Sequence, residues 1–341
     1  MSFPANPDAL DAAWLEEVLH EGGVLPGARV RCIATQIIGV GFGLDGTSAR
    51  VTVDGDAAPA TLVVKWCAAE NARYESHFYR AVAPRLGLRL ATLYGARIDE
   101  ATKRGVLVLS DVAPARQGDT LVGATESESV ALTDAMAGFH ALYWGAADVP
   151  VLSPVPPWLG GGGLHPDGLV EVLPKFLTEW AERLPPSALA LAADLPERVN
   201  AVRTSLARSP TTLIHADLHL DNVLVLEDGV PVVLDWPSAC RGPAAVDVAR
   251  LLVEGMTSEA RRVQQERLTL RYLAALASRG VTYDIDRMRT DVTCVATLLY
   301  AAAVRWAAGP HAVRAGAPRV ALLVDALVRN CADAATEFAG R

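Results

Sequence analysis

Residues 213–236, LIHADLHLDNVLVLEDGVPVVLDW, bring a carboxylate, an amide and a second carboxylate into one short stretch: Asp217, Asn222 and Asp235. That set suits phosphoryl transfer. Asp217 can orient and deprotonate an attacking hydroxyl, while Asn222 and Asp235 offer hard oxygen ligands for Mg²⁺ ions bridging nucleotide phosphates. Two apolar runs flank Glu227-Asp228-Gly229, a hairpin turn signal, and a hairpin there returns Asp235 to the neighbourhood of Asn222. The same stretch allows a rival chemistry, a zinc hydrolase with His215, Asp217 and His219 as ligands. None of His20, His77, His140, His165 or His311 makes a second cluster to support it.

The spacing from His215 to Asn222 is H-x-D-L-x-x-x-N, the pattern of a kinase catalytic loop, and Asp235 stands at the second metal-binding position. Three upstream features follow in the matching order. Gly39-Val40-Gly41-Phe42-Gly43 lies between two strand patterns, where glycines let backbone N–H groups approach phosphates. Lys65 ends the apolar run Leu62-Val63-Val64 in a chain that otherwise prefers arginine, which suits a phosphate ligand. Glu75, on the helix that follows, can pair with Lys65, with Glu70 as its competitor.

The elements that must position these residues are readable from periodicity. VRCIATQIIGV, SARVTV, TLVVKW, Ala91–Ile98 and Arg104–Leu109 read as five strands. Residues 70–83 read as a helix inserted after the third strand and ending at Pro84, and residues 9–20 as a helix before the sheet. Residues 125–144 predict a long helix, and from Leu169 onward the chain is mainly helical, with short strands within 211–236. The Pro/Gly-rich stretch VPVLSPVPPWLGGGGLHPDG reads as a lid, a loop near a site, or a linker.

Composition bounds the rest. The 341 residues are 51% hydrophobic and 21% charged, a globular balance long enough for about two domains. Five scattered cysteines without a C-x-x-C argue against a disulfide frame or a zinc site. A net charge of −8 argues against nucleic acid as the main partner. No basic, apolar leader opens the chain, and the apolar run Val295–Val304 falls short of the roughly 18–20 residues of a membrane span. A cytoplasmic protein without a membrane partner is expected. Residues 251–341 hold 9 acids and 12 bases, a net of +3. Polycationic acceptors need a strongly acidic pocket, so this favours a neutral or weakly charged substrate. Trp158, Tyr300 and Trp306 are candidate pocket walls, and Asp221 a candidate substrate contact.

The joined motifs resemble the aminoglycoside phosphotransferase and choline/ecdysteroid-kinase-like superfamily of small-molecule kinases. HADLHLDN is similar to its H-G-D-x-H-x-x-N, with Ala216 in place of the usual glycine; VLDW is similar to I-D-W, and RGPAAVDVARLL to G-x-x-x-x-D-L-A. GFHALYW and YESHFYRAVAPRL resemble helices of the ecdysteroid-kinase-like subgroup. The resemblance implies a bilobal, protein-kinase-like α+β fold. Residues 1–111 would form a nucleotide-binding lobe of five antiparallel strands and one main helix, and residues 112–341 a mainly helical catalytic and substrate-binding lobe. It implies Mg²⁺ and ATP or GTP, with Gly41, Gly43, Lys65 and Glu75 at the phosphates and the backbone of Leu109, Ser110 and Asp111 at the base. His215, His219 and Asp247 would support the catalytic loop, Asp247 by accepting backbone hydrogen bonds or as a helix N-cap.

Two departures argue against a protein kinase switched by phosphorylation. No arginine stands at 216, and eleven residues between Asp235 and Asp247 leave no room for an activation loop. The acceptor implied is a hydroxylated small molecule, an antibiotic or other natural product. A choline-like or sugar-alcohol kinase is the runner-up. A non-catalytic nucleotide-binding module is the further alternative, against which every expected catalytic side chain is present.

Overall fold

The computed structural model describes residues 3–39, 46–145, 149–153, 155–158, 166–309 and 318–340. The chain forms two compact units. The first comprises Met1–Arg116 and Leu224–Ser238, the second Gln117–Val223 and Ala239–Arg341. A single cut at 111 therefore differs from the observed division, because residues 224–238 group with the first unit.

The first unit is built on strands β1 (Arg29–Ile38), β2 (Thr47–Asp56), β3 (Thr61–Ala68), β4 (Leu93–Asp99) and β5 (Arg104–Ser110), antiparallel in the order β1-β2-β3-β5-β4. This is the expected five-stranded sheet. Its alternation separates two faces. Ala49, Val51, Leu62, Val64, Trp66, Val106 and Val108 share one core with Trp14, Leu15 and Val18 of helix α1 (Ala12–Glu21). The register puts Ser48 opposite Lys65, Arg50 opposite Val63, and Val63 and Lys65 opposite Leu109 and Leu107, all on the other face.

Helix α2 (Ala69–His77) leaves β3 directly. It is shorter than the span 70–83: a π-type turn, Phe78–Val82, and a 3₁₀ turn, Ala83–Arg85, follow it. Pro84 has no amide hydrogen with which to extend the α-helical ladder. The later hairpin pairs Val223–Leu226 with Pro231–Val233. Leu226 N donates to Val230 O at 3.0 Å, and Gly229 takes φ +80, the left-handed conformation the turn requires.

The second unit is helical: α3 (Glu126–Leu142), α4 (Pro166–Trp180), α5 (Pro186–Leu206), α6 (Ala245–Val253), α7 (Ser258–Ala277), α8 (Ile285–Ala308) and α9 (Pro318–Ala339). Thr125 and Glu128 close a capping box at the start of α3. Helix α8 packs against α4, α5, α6 and α9. Among the described residues it is the one helix long and apolar enough to cross a membrane, and 67% of its apolar window is buried, as in a core helix. Strand Thr211–Ile214 pairs antiparallel with Cys240–Pro243, and the loop that carries Asp217 leaves the first of these.

Candidate active site

In the first unit, Lys65 Nζ lies 2.7 Å from Glu75 Oε2 and 2.5 Å from Asp235 Oδ1. Glu75 is buried whereas Glu70 is exposed, so Glu75 is the partner of the lysine. Burial alone would lower the Lys65 pKa, but the charges of Glu75 and Asp235 outweigh it and hold the ammonium above its ordinary value. Lys65 therefore stays charged. Asp235 is held at φ +62, a conformation costly for a residue with a Cβ. The adjacent Trp236 secures it: the indole donates to Val233 O at 2.9 Å, and the ring stacks on Phe78 with centroids 4.1 Å apart. Phe78 begins the π-type turn after α2, so the helix that supplies Glu75 also supplies the surface under Trp236.

Gly41 and Gly43 lie outside the described residues. At the end of β5, Leu109 is buried. Ser110 N donates to Thr92 O, and Ser110 Oγ accepts from Thr92 N, both at 2.8 Å. The Asp111 carboxylate accepts from Arg50 Nε at 2.7 Å and from Nη2 at 3.1 Å.

In the second unit the catalytic-loop motif is organised around Asp247. This fully buried carboxylate accepts from His215 N at 2.7 Å and Ala216 N at 2.8 Å, and faces His140 Nε2 at 3.2 Å. The cap of α6 is Ala244, so Asp247 is not an N-cap; its oxygens go to the loop. Burial acts to raise its pKa, while His140 and the His215 N–H act more strongly to lower it, leaving the carboxyl below its ordinary value. His140 in turn meets Tyr272 Oη at 2.7 Å through Nδ1, and its carbonyl accepts from Thr212 Oγ1 at 2.7 Å. The loop is thus tied to α3, α6 and α7. Holding both backbone amides of residues 215 and 216 on one carboxylate places Ala216 at φ +64, where a glycine is usual in the motif.

Asp217 emerges from that bend. Its N–H donates to His215 Nδ1 at 3.2 Å, and its carboxylate lies 3.3 Å from Arg250 Nη1 and 3.6 Å from His219 Nε2. Burial pushes its pKa up, but His219 and Arg250 prevail and hold it well below the usual carboxylate range. The same contact holds His219 above the ordinary imidazole value, although burial opposes this. Asn222 Nδ2 donates to Asp217 O at 3.0 Å and meets His219 Nε2 at 3.2 Å. Its NH₂ edge is thereby turned to the loop, which suits the amide oxygen to a cation.

Two expected substrate contacts are corrected. Asp221 is buried, accepts from Thr120 N at 2.8 Å, and has both oxygens 3.0 Å from Arg319 Nη2, so its charge is neutralised internally. Tyr300 is fully buried, donates to Ala188 O at 3.0 Å and packs edge-on to Phe176, which makes it core and not a pocket wall. Trp158 is half-buried, and its N–H donates to Arg241 O at 2.8 Å. Trp306 is half-buried on α8. Among the described residues no three His, Cys, Asp or Glu side chains form a metal-holding group. Sequence reasoning missed Arg250, although its position three residues after Asp247 puts both on one face of α6. It also left His140 without a role inside the quoted GFHALYW.

A family model, APH, described as the phosphotransferase enzyme family, matches residues 41–289. The chain belongs to the phosphotransferase enzyme family. No curated protein sequence matches it. Solved structures share its fold. A candidate aminoglycoside phosphotransferase from Ralstonia eutropha JMP134 is 15% identical at TM-score 0.60, with 97% of this chain and 98% of that chain covered. The macrolide 2′-phosphotransferase MphH of Brachybacterium faecium is 17% identical at TM-score 0.52, covering 90% and 97%. The spectinomycin phosphotransferase APH(9)-Ia, in complex with ADP and spectinomycin, is 13% identical at TM-score 0.55, covering 96% and 99%. Identities this low speak for a shared fold, the kinase-like fold of the phosphotransferase family.

Proposed function

We propose that this phosphotransferase moves the terminal phosphoryl group of ATP or GTP to a hydroxyl of a small natural product, such as an antibiotic, in the cytoplasm. The observation that carries the reading is the Lys65 ammonium bracketed by Glu75 and Asp235. A lysine so placed is rigid, charged and ready to meet phosphate oxygens in exchange for the Asp235 contact.

The acceptor hydroxyl is oriented by Asp217. Because Asp217 is a weak base, its proton transfer follows bond formation: the acceptor oxygen bonds to phosphorus, the bond to the nucleoside diphosphate breaks, and the hydroxyl proton passes to the Asp217 carboxylate. Mg²⁺ would neutralise the phosphates, and Asn222 and Asp235 are the residues proposed to offer it oxygen ligands. Lys65 supplies fixed positive charge, and Asp247 holds the loop so that Asp217 keeps its direction.

The acceptor reading rests on how the charges of the second unit are used. The net basicity of residues 251–341 is not a free basic field. Arg261 and Arg262 pair with Asp333 and Glu337, Arg267 with Glu126, Arg271 with Asp134, Arg289 with Glu266, and Arg319 with Asp119 and Asp221. The acids beside the catalytic loop are also paired, Asp221 with Arg319 and Glu254 with Arg250. Asp217, itself beside Arg250 and His219, is the acid this reading directs at the acceptor, and one paired carboxylate is too little to repay the desolvation of a polycation.

A panel of kcat/KM values at fixed ionic strength tests this, reading nucleoside diphosphate release with macrolides, nucleoside-type antibiotics and kanamycin-like polycations. Neutral acceptors should lead. A polycation tenfold better than any of them, and weakened by salt, would overturn the acceptor assignment. Absence of release with every hydroxylated compound, alongside intact nucleotide binding, would favour a non-catalytic module.

A further inference from the structure

The Lys65 face of the sheet carries an arginine, Arg50, between the polar Gln36 on β1 and the apolar Val63 on β3. Arg50 on β2 is directly opposite Val63 on β3, and Val63 is directly opposite Leu109 on β5. Lys65 lies two residues beyond Val63 on the same face, about 7 Å along the strand. Moving from Lys65 through Val63 thus leads from the phosphate-binding ammonium to the end of β5, with Arg50 alongside. The Arg50 side chain is 40% exposed, whereas the Asp111 side chain that anchors it is 4% exposed.

The pair is bidentate, through Nε and Nη2. Such a pair lies in the guanidinium plane, so it fixes the orientation of the plane and leaves its faces for stacking. A lysine or an aliphatic residue at this position would give charge or area, but not a rigid polar plane.

Building on the proposed nucleotide-dependent reaction, we infer that Arg50, held by Asp111, is a wall of the base pocket, against which the purine of the phosphoryl donor stacks. Purines present large π faces and stack well on a guanidinium, so the arrangement selects purine over pyrimidine donors. Asp111 is then a positioning residue that acts through Arg50.

The test is titration calorimetry of the full chain with Mg²⁺ and, separately, ADP, GDP, UDP and inorganic tripolyphosphate. Arg50→Met should weaken ADP and GDP about tenfold. Tripolyphosphate and UDP should stay within about twofold of wild type, because the phosphate contacts are untouched. Arg50→Lys keeps the charge beside Asp111 and loses the plane; it should show a smaller loss with the same selectivity, and it decides the matter should the methionine variant not fold.

Equal losses for ADP and tripolyphosphate would overturn the inference, since they would mark a phosphate contact or a general structural role. Unchanged ADP and GDP affinity would overturn it as well. If the wild-type protein binds neither nucleotide nor tripolyphosphate, the proposed function falls and the inference with it. If wild type binds and the variants match it, this inference alone fails.

Discussion

Arg250 Nη1 stands 3.3 Å from Asp217 Oδ1 and 2.6 Å from Glu254 Oε2, so one guanidinium on α6 serves both the proposed hydroxyl-orienting carboxylate and a nearly buried acid. Helix α6 also carries Asp247, which grips the two amides before Asp217. A single helix therefore fixes the backbone and the charge state of the loop. Arg250→Met should remove the cation, let the Asp217 pKa rise toward its ordinary value, and lower kcat about tenfold. The acid limb of the pH–rate profile should move to higher pH. A fall in kcat with an unmoved acid limb would show that Arg250 does not act through Asp217.

Asp217→Asn should reduce transfer by about 10²–10⁴-fold while nucleotide affinity stays near wild type. The proposed nucleotide contacts, Lys65 with Glu75 and Asp235, belong to the first unit, and Asp217 to the second. Turnover and nucleotide Kd measured on the same preparation check it, and retention of more than about a third of kcat/KM would remove Asp217 from its role.

Asp235→Asn should raise the Mg²⁺ concentration needed for half-maximal rate more than Asn222→Ala does. A carboxylate contributes charge as well as an oxygen, whereas the amide contributes an oxygen alone. Rate against Mg²⁺ concentration is the measurement, and an unchanged curve for Asp235→Asn counts against its metal role.

Stability should fall in acid through Asp247. Its folded-state pKa is depressed, so its stabilising contribution is complete above the unfolded carboxylate value of about 3.9. That contribution is lost as pH falls through the lower, folded value. Melting temperature should therefore drop below about pH 4, and Asp247→Asn, less stable at neutral pH, should show a shallower drop. His219 works with the opposite sign: its raised pKa contributes below the unfolded value of about 6.5 and is lost as pH rises through the folded one. Melting curves of His219→Gln should lack this alkaline component.

Ala216→Gly should stabilise the protein by about 1 kcal/mol, because φ +64 penalises a Cβ and suits glycine. Ala216→Val should be the reverse and worse, since a β-branched side chain tolerates that region least. Thermal unfolding of both variants measures the difference, and destabilisation by glycine would show that the bend is unstrained.

The Asp217, Asn222 and Asp235 pattern was legible because phosphoryl transfer restricts both the residue types and their spacing along one loop and hairpin. The five strands and α1 were legible because a two-residue or 3.6-residue apolar period is a local property, written within about ten residues. Glu75 over Glu70 was not, because both lie on α2 and burial distinguishes them. The Lys65–Asp235 contact joins residues 170 apart, and the grouping of 224–238 with the first unit follows from packing that no local pattern records.

Asp221 shows the same limit from the other side. In the motif it reads as one more acid beside Asp217, the proposed hydroxyl-orienting residue, yet Arg319, 98 residues later, neutralises it. Tyr300 likewise has the aromatic character of a pocket wall, but the packing of α8 leaves it fully buried. Which element forms depends on neighbours in sequence. Which charge is paired and which ring is covered depends on the elements that packing brings within a few ångströms, and burial then sets their pKa values and their availability to a substrate.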